Sequence, residues 1–245
     1  MVKKVFISII KIVAWISLMF GMQVLGMFIA VFLMSRFGIL NDGSMNVLIN
    51  AFGPEFSYNN ISSEVLYLLG EISNYCIIIS FIPYIFIILK NFNKHYRKIS
   101  FKTFSLLIGI GILANFLISL ILVLLIPFIS SGLLNDYNVS TGLASNGNIL
   151  LTIISTGLIA PIIEEITLRR GVYRVLKDFC PVKIAMLIQA VLFGIMHGNL
   201  IQGIYATLLG FIFCVFYEKS KENLLVPTIL HITINMTSVL LTMLV

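Results

Sequence analysis

Ile149–Arg170 reads ILLTIISTGLIAPIIEEITLRR, an apolar run that ends in two adjacent carboxylates and two arginines. A charged side chain at a bilayer centre costs roughly 3 kcal/mol on insertion scales. Glu164 and Glu165 therefore have to be paired, protonated or put to use. The apolar run predicts a membrane span over Asn148–Leu168, and the rest of the sequence is read outward from it.

The chain has 245 residues, 59% of them hydrophobic and only 11% charged, with a mean hydropathy of +1.06. Those values exclude an ordinary soluble domain. Apolar runs of about 20 residues without period-two alternation predict an all-α, polytopic bundle of transmembrane helices. Seven spans are expected: Ile12–Met34, Val65–Leu89, Phe104–Phe128, Asn148–Leu168, the short Ile184–His197, Gly203–Tyr217 and Leu224–Val245. Lys3 and Lys4 before the first run imitate a signal peptide, but the run continues without a small-residue cleavage site and reads as a retained span. Residues 1–147 then form an N-terminal set of three spans, and residues 148–245 a catalytic core of four.

The links differ in charge. Ser35–Glu64 and Ile129–Gly147 read as polar loops. Lys90–Thr103, with His95 expected in solvent, and Arg169–Lys183 are basic; Glu218–Asn223 mixes Lys219 and Lys221 with acids. With the N-terminus inside, fifteen of the sixteen Lys and Arg residues fall on the cytoplasmic side and only Arg36 outside, which predicts an N-in, C-out orientation in the cell membrane. The net charge of +6 thus marks cytoplasmic loops rather than a nucleic-acid site. Cys76, Cys180 and Cys214 have no CxxC spacing and suggest neither a disulfide framework nor a thiolate metal site.

Polar residues inside the spans carry the functional reading. Glu164 precedes Arg174 by ten positions, about 15 Å of helix; His197 follows Lys183 by about 21 Å; His231 follows Lys221 by about 15 Å. Three helices therefore present Glu, His and His at similar depth, reached from the cytoplasmic ends. Glu165 and Arg169 are four apart and share a face, while Glu164 is turned by about 100° from Glu165. His231 and Asn235 share a face, as do Phe193 and His197. The bland alternatives are a structural ion pair and interhelical hydrogen bonds. Pro161 favours an opened helix near a site. Glu71 and Asn74 in the second span are further candidates to line a cavity or to pair with another helix, and Gly109, Gly111, Gly203 and Gly210 mark close helix packing.

A carboxylate in a low-dielectric pocket suits general-base work near neutral pH. Glu164 could take a proton from water attacking a peptide carbonyl, His231 and Asn235 could donate to the oxyanion, and His197 could orient the water. The same Glu164, His197 and His231 also match a catalytic zinc shell with an open water position. No HExxH, GxGD or GxSG motif occurs.

Glu164-Glu165-Ile-Thr-Leu-Arg169 (EExxxR), Phe193-Gly-Ile-Met-His197 (FxxxH) and His231-Ile-Thr-Ile-Asn235 (HxxxN), in that order, resemble the three motifs of the CPBP intramembrane proteases, also called the Abi or CAAX-protease family. The resemblance covers about Ile149–Val245. It implies an endopeptidase in which Glu164 activates water and His197 is a catalytic partner. His231 and Asn235 would form the oxyanion pair, with Glu165, Arg169 and Phe193 supporting the site. It implies a glutamate-dependent mechanism that requires no metal, with Zn2+ as the alternative. Expected partners are the lipid bilayer and a membrane-associated peptide or protein, such as a bacteriocin or pheromone precursor. The rival expectation is a non-catalytic immunity or scaffold protein of the same family. A small transporter is disfavoured because no inverted repeat is present.

Overall fold

The computed structural model describes residues 2–51, 62–145 and 147–242. Residues 52–61 of the expected Ser35–Glu64 loop and 243–245 of the expected seventh span lie outside the described residues. All regular structure among the described residues is helical. Six stretches are long and apolar enough to cross a membrane, and Val182–Ile195 is a shorter apolar helix.

Helix α1 (Val2–Arg36) begins ten residues before the predicted first span, because Lys3, Lys4 and Lys11 do not interrupt helix formation. A short α2 (Asp42–Ala51) follows within what the sequence predicts as a loop. The second span is α3 (Ser63–Ser80), capped by the Ser62 hydroxyl accepting from Val65 N, and α4 (Ile82–His95). The two are divided at Phe81, next to Pro83, whose missing N–H cannot serve the preceding turn. Helix α5 (Phe101–Leu125) is capped by Ser100 and buries the stripe Leu107, Gly111, Asn115. Its other faces expose Leu113, Phe116 and Leu120, as a surface turned to lipid does.

A sixth helix, α6 (Ser131–Ser145), replaces the expected polar loop. Its Ser, Asn, Thr and Gly content hides it from a hydropathy reading, and tertiary contacts hold it instead. Asn199 donates to Ser140 Oγ at 3.1 Å. The hydroxyls of Tyr137 and Tyr205 are hydrogen-bonded to each other.

The fourth span, α7, runs over Ile149–Leu176 and is not uniform. Ile153–Ile159 and Ile166–Tyr173 are π-helical, and the α-helical turn Ala160–Glu165 lies between them. Each wide turn re-aims the side chains that follow it, and such turns gather at functional sites. The chain closes with α8 (Val182–Ile195), α9 (Leu200–Lys219) and α10 (Leu225–Thr242). Fourteen residues make α8 about 21 Å long, short of a bilayer core of about 30 Å.

Close approach is built where small residues meet. A Cβ on Gly194 would stand 2.0 Å from Thr207 Oγ1 and 2.4 Å from Gly203 O, which seats α8 against α9. Gly111 and Gly210 are similarly filled, by Thr233 and by Phe193. Gly109 departs from the expectation: nothing lies within 4 Å of a Cβ there, because its side of α5 is open. His95 is also corrected. It is buried rather than solvated, since its carbonyl accepts from Leu224 N and the next residues dock on the α9–α10 turn through Arg97 and Asn223.

Candidate active site

Pro161 shapes the floor of the site. It has no N–H, so the carbonyls four and five residues back receive no bond from it. One of these, Thr156 O, accepts instead from Asn235 Nδ2 at 3.1 Å. A Cβ on Gly157 would stand 2.8 Å from Met236 Sδ, so α7 and α10 are in close contact there. On the other side of α7, Asn74 bonds both Thr152 Oγ1 and Ser155 Oγ, and Glu71 accepts from Asn148 N at the start of the span. Glu71 and Asn74 therefore brace α7 and do not line the cavity.

The two glutamates diverge as their 100° offset requires. Glu165 is fully buried, with Oε2 3.0 Å from Nε of the equally buried Arg169. Its Oε1 lies 2.9 Å from His231 Nδ1. Arg169 also donates to Gly210 O at 3.2 Å, and its guanidinium carbon sits 5.3 and 5.4 Å from the ring centroids of Phe193 and Phe213. Burying charges is costly unless they are paired and hydrogen-bonded; Arg169 is paired with Glu165 and hydrogen-bonded through Nη2, while its Nε and Nη1 make no hydrogen bond.

Glu164 is the accessible member, with 24% side-chain exposure, and its Oε2 is 3.5 Å from His231 Nε2. The His231 ring stacks on Phe213 at 4.7 Å. Phe193 presents its ring edge-on to both His197 and His231, with centroids 4.7 and 5.7 Å apart. His197 Nδ1 is 2.8 Å from Phe193 O, which leaves Nε2 as its outward nitrogen. A carboxylate beside Nδ1 favours the proton on that nitrogen. Nε2 of His231 is then the atom turned to Glu164, and it donates only when the ring carries both protons.

Glu164, Phe193, His197, His231 and Asn235 line one cavity of about 400 Å³. Glu165 and Arg169 stand behind it. The sequence reading misses several lining residues: Asn115 on α5, Ser73 on α3, Tyr137 and Thr141 on α6, and Gln202 and Tyr205 on α9. Asn115 offers a signal, an amide within an otherwise apolar span; α6 offers none without its fold. Among the described residues no three His, Cys, Asp or Glu side chains form a metal-binding group. Glu164 and His231 approach each other; His231 Nδ1 is held by Glu165 and His197 Nδ1 by a carbonyl, which leaves Nε2 of each ring and the Glu164 carboxylate as the atoms that would hold a zinc ion.

The basic end of the bundle is closed. Tyr173, Phe213, Tyr217 and Leu224 are fully buried there. Lys177 Nζ reaches Glu218 at 2.8 Å and Glu222 at 2.9 Å, and Tyr173 donates to Glu218 at 2.7 Å. Burial works against the Lys177 ammonium, but these two carboxylates outweigh it and hold its pKa above the ordinary lysine range. Tyr96 is pushed up to about 12 by burial, against the opposing charge of Arg170. The cavity lining contains no residue of this layer. The lining extends from Glu164 and His231 to Ser119, Tyr137 and Thr242.

The family model for type II CAAX prenyl endopeptidase, Rce1-like, matches residues 146–237. A protein of Bacillus subtilis (strain 168) described as "Putative membrane peptidase YdiL" is 34% identical over 85 residues, which are 35% of this chain and 34% of that protein. The match thus spans about a third of the relative's length. No solved structure matches.

Proposed function

We propose that the chain, whose residues 146–237 match the CAAX-type membrane protease family, is an intramembrane endopeptidase with Glu164 as its general base. The observation that carries this reading is the division of labour between the adjacent carboxylates. Glu165 is consumed by Arg169 and His231, whereas Glu164 faces the cavity with only the edge of His231 beside it.

In the proposed reaction a water held between Glu164 and His197 Nε2 loses a proton to Glu164 and attacks the scissile carbonyl. Negative charge develops on the carbonyl oxygen. Asn235 spends one amide hydrogen on Thr156 O and retains a second for this oxyanion; His231 is its partner there through Nε2, with Glu165 holding the ring at Nδ1. Preorganised donors of this kind are worth about 2.7–4 kcal/mol each in comparable sites. Glu164 then returns the proton to the departing amine, which completes hydrolysis. The scheme routes no step through a metal.

The substrate class we infer is a membrane-associated peptide or protein, a bacteriocin or pheromone precursor being of suitable size, in the cell membrane. A non-catalytic scaffold has less support, since it gives no reason for Glu164 to face a polar cavity. The reading is tested by incubating the purified, detergent-solubilised chain with a quenched peptide library. Cleavage lost on Asn235→Leu, and on His197→Phe with unchanged thermal unfolding, is expected; cleavage indifferent to both substitutions overturns it.

A further inference from the structure

We propose that the turn between α9 and α10, together with the chain entering α5, forms a binding surface for anionic phospholipid headgroups. None of its residues lines the Glu164 cavity, and the proposal does not rest on the hydrolase reading.

Arg97 assembles the surface. Its Nη2 donates to the carbonyls of Ser220 and Lys221, at 2.7 and 2.6 Å. Its backbone N–H donates to Asn223 Oδ1, and its carbonyl accepts from Asn223 Nδ2. Two segments 126 positions apart are thereby fixed edge to edge. The turn between α9 and α10 is also wound in an uncommon way, since Lys221 and Glu222 have φ of 58° and 63°. Residues with a Cβ keep that conformation only where their surroundings hold it. Glu222 is held by Arg174 and Lys177, and Lys221 by Arg97 through its carbonyl. The Lys221 side chain is left exposed.

Charge and depth name the partner. Lys98 and Lys102 on one segment, and Lys219 and Lys221 on the other, are exposed. Among the described residues none of the four has an ion-pair partner, because the neighbouring Glu218 and Glu222 are spent on Lys177 and Arg174. The surface lies where three spans end: α5 begins at Phe101, α9 ends at Lys219 and α10 begins at Leu225. Phe101 is 83% exposed and opens a lipid-facing helix, so its ring meets acyl chains while the lysines beside it reach the headgroups. Clusters of about four to eight Lys or Arg next to a span attract anionic lipids on the cytoplasmic side, the side that the charge-based orientation gives this end. A soluble acidic peptide would match the charge but not the exposed Phe101. A headgroup shared by Lys98 and Lys221 would add a tie to the turn from which α10 departs with His231 and Asn235.

The test is thermal unfolding of the full chain in nanodiscs of phosphatidylcholine alone and of phosphatidylcholine mixed with phosphatidylglycerol. Wild type is compared with Lys98→Gln/Lys221→Gln and with Lys11→Gln/Lys183→Gln, which removes the same charge from α1 and α8. We expect phosphatidylglycerol to raise the wild-type melting temperature by about 2–4 °C for each lysine engaged. The gain should shrink at high salt, vanish in Lys98→Gln/Lys221→Gln and persist in Lys11→Gln/Lys183→Gln. No gain in wild type, a gain that survives Lys98→Gln/Lys221→Gln, or an equal loss in both variants overturns the proposal. So does an equal gain in phosphatidylcholine discs on adding inorganic phosphate or poly-glutamate, which would assign the surface to a free anion or to an acidic protein. Unfolding needs no turnover, so a failed cleavage assay would sink the hydrolase reading without touching this result.

Discussion

His231 Nδ1 and Glu165 Oε1 lie 2.9 Å apart although 66 positions separate them in the chain. Through Glu165 the imidazole is joined to Arg169, so an ion pair behind the cavity sets which nitrogen of a cavity residue faces Glu164. Orientation of a histidine by the group on its other nitrogen is a general device for fixing its tautomer.

Breaking the buried pair should cost more than removing it. Arg169→Met leaves the Glu165 carboxylate buried without its guanidinium partner, a loss of about 3–5 kcal/mol. The double variant Arg169→Met with Glu165→Gln should recover much of that stability while activity stays low, because the carboxylate that orients His231 is gone. Thermal unfolding in detergent, set beside peptide cleavage, separates the two effects.

The glycines make a paired prediction. Gly194→Ala forces a Cβ into Thr207 Oγ1 and the Gly203 carbonyl, and overpacking of this kind costs about 1–3 kcal/mol. Gly109→Ala meets nothing and should stabilise helix α5 by up to about 1 kcal/mol. Melting temperatures of the two variants should move in opposite directions from wild type.

Lys177 ties the basic end to Glu218 and Glu222, and its raised pKa fixes the sign of a pH effect. A base whose folded pKa exceeds its unfolded value stabilises fully below the unfolded value. The contribution is lost as pH rises through the folded value, so it is present at neutral pH and disappears only in the alkaline range above ordinary lysine titration. Lys177→Met should therefore lower the melting temperature at pH 7, and the gap to wild type should close at strongly alkaline pH.

The long apolar spans were legible because Leu, Ile, Val and Phe runs of bilayer length leave few alternatives to helix. The motif residues were legible because i, i+4 spacing places Glu165 with Arg169, and His231 with Asn235, on single faces. Helix α6 was not, since its polar side chains earn their places only through α9, where Asn199 meets Ser140 and Tyr205 meets Tyr137. Nor was the π-helical form of α7. Pro161 hinted at an opened turn, but the acceptor it frees is met by Asn235 from another span, a relationship that local sequence does not contain.

The central claim, that Glu164 activates water without a metal, is tested most directly by peptide cleavage with wild type and Glu164→Gln compared with and without a chelator. General-base catalysis contributes about 10²–10⁴-fold, so the account predicts a loss of at least about 10²-fold in the variant, an unchanged melting temperature and no effect of the chelator on wild type. Wild-type activity abolished by the chelator and restored by zinc, or full activity in Glu164→Gln, would contradict it.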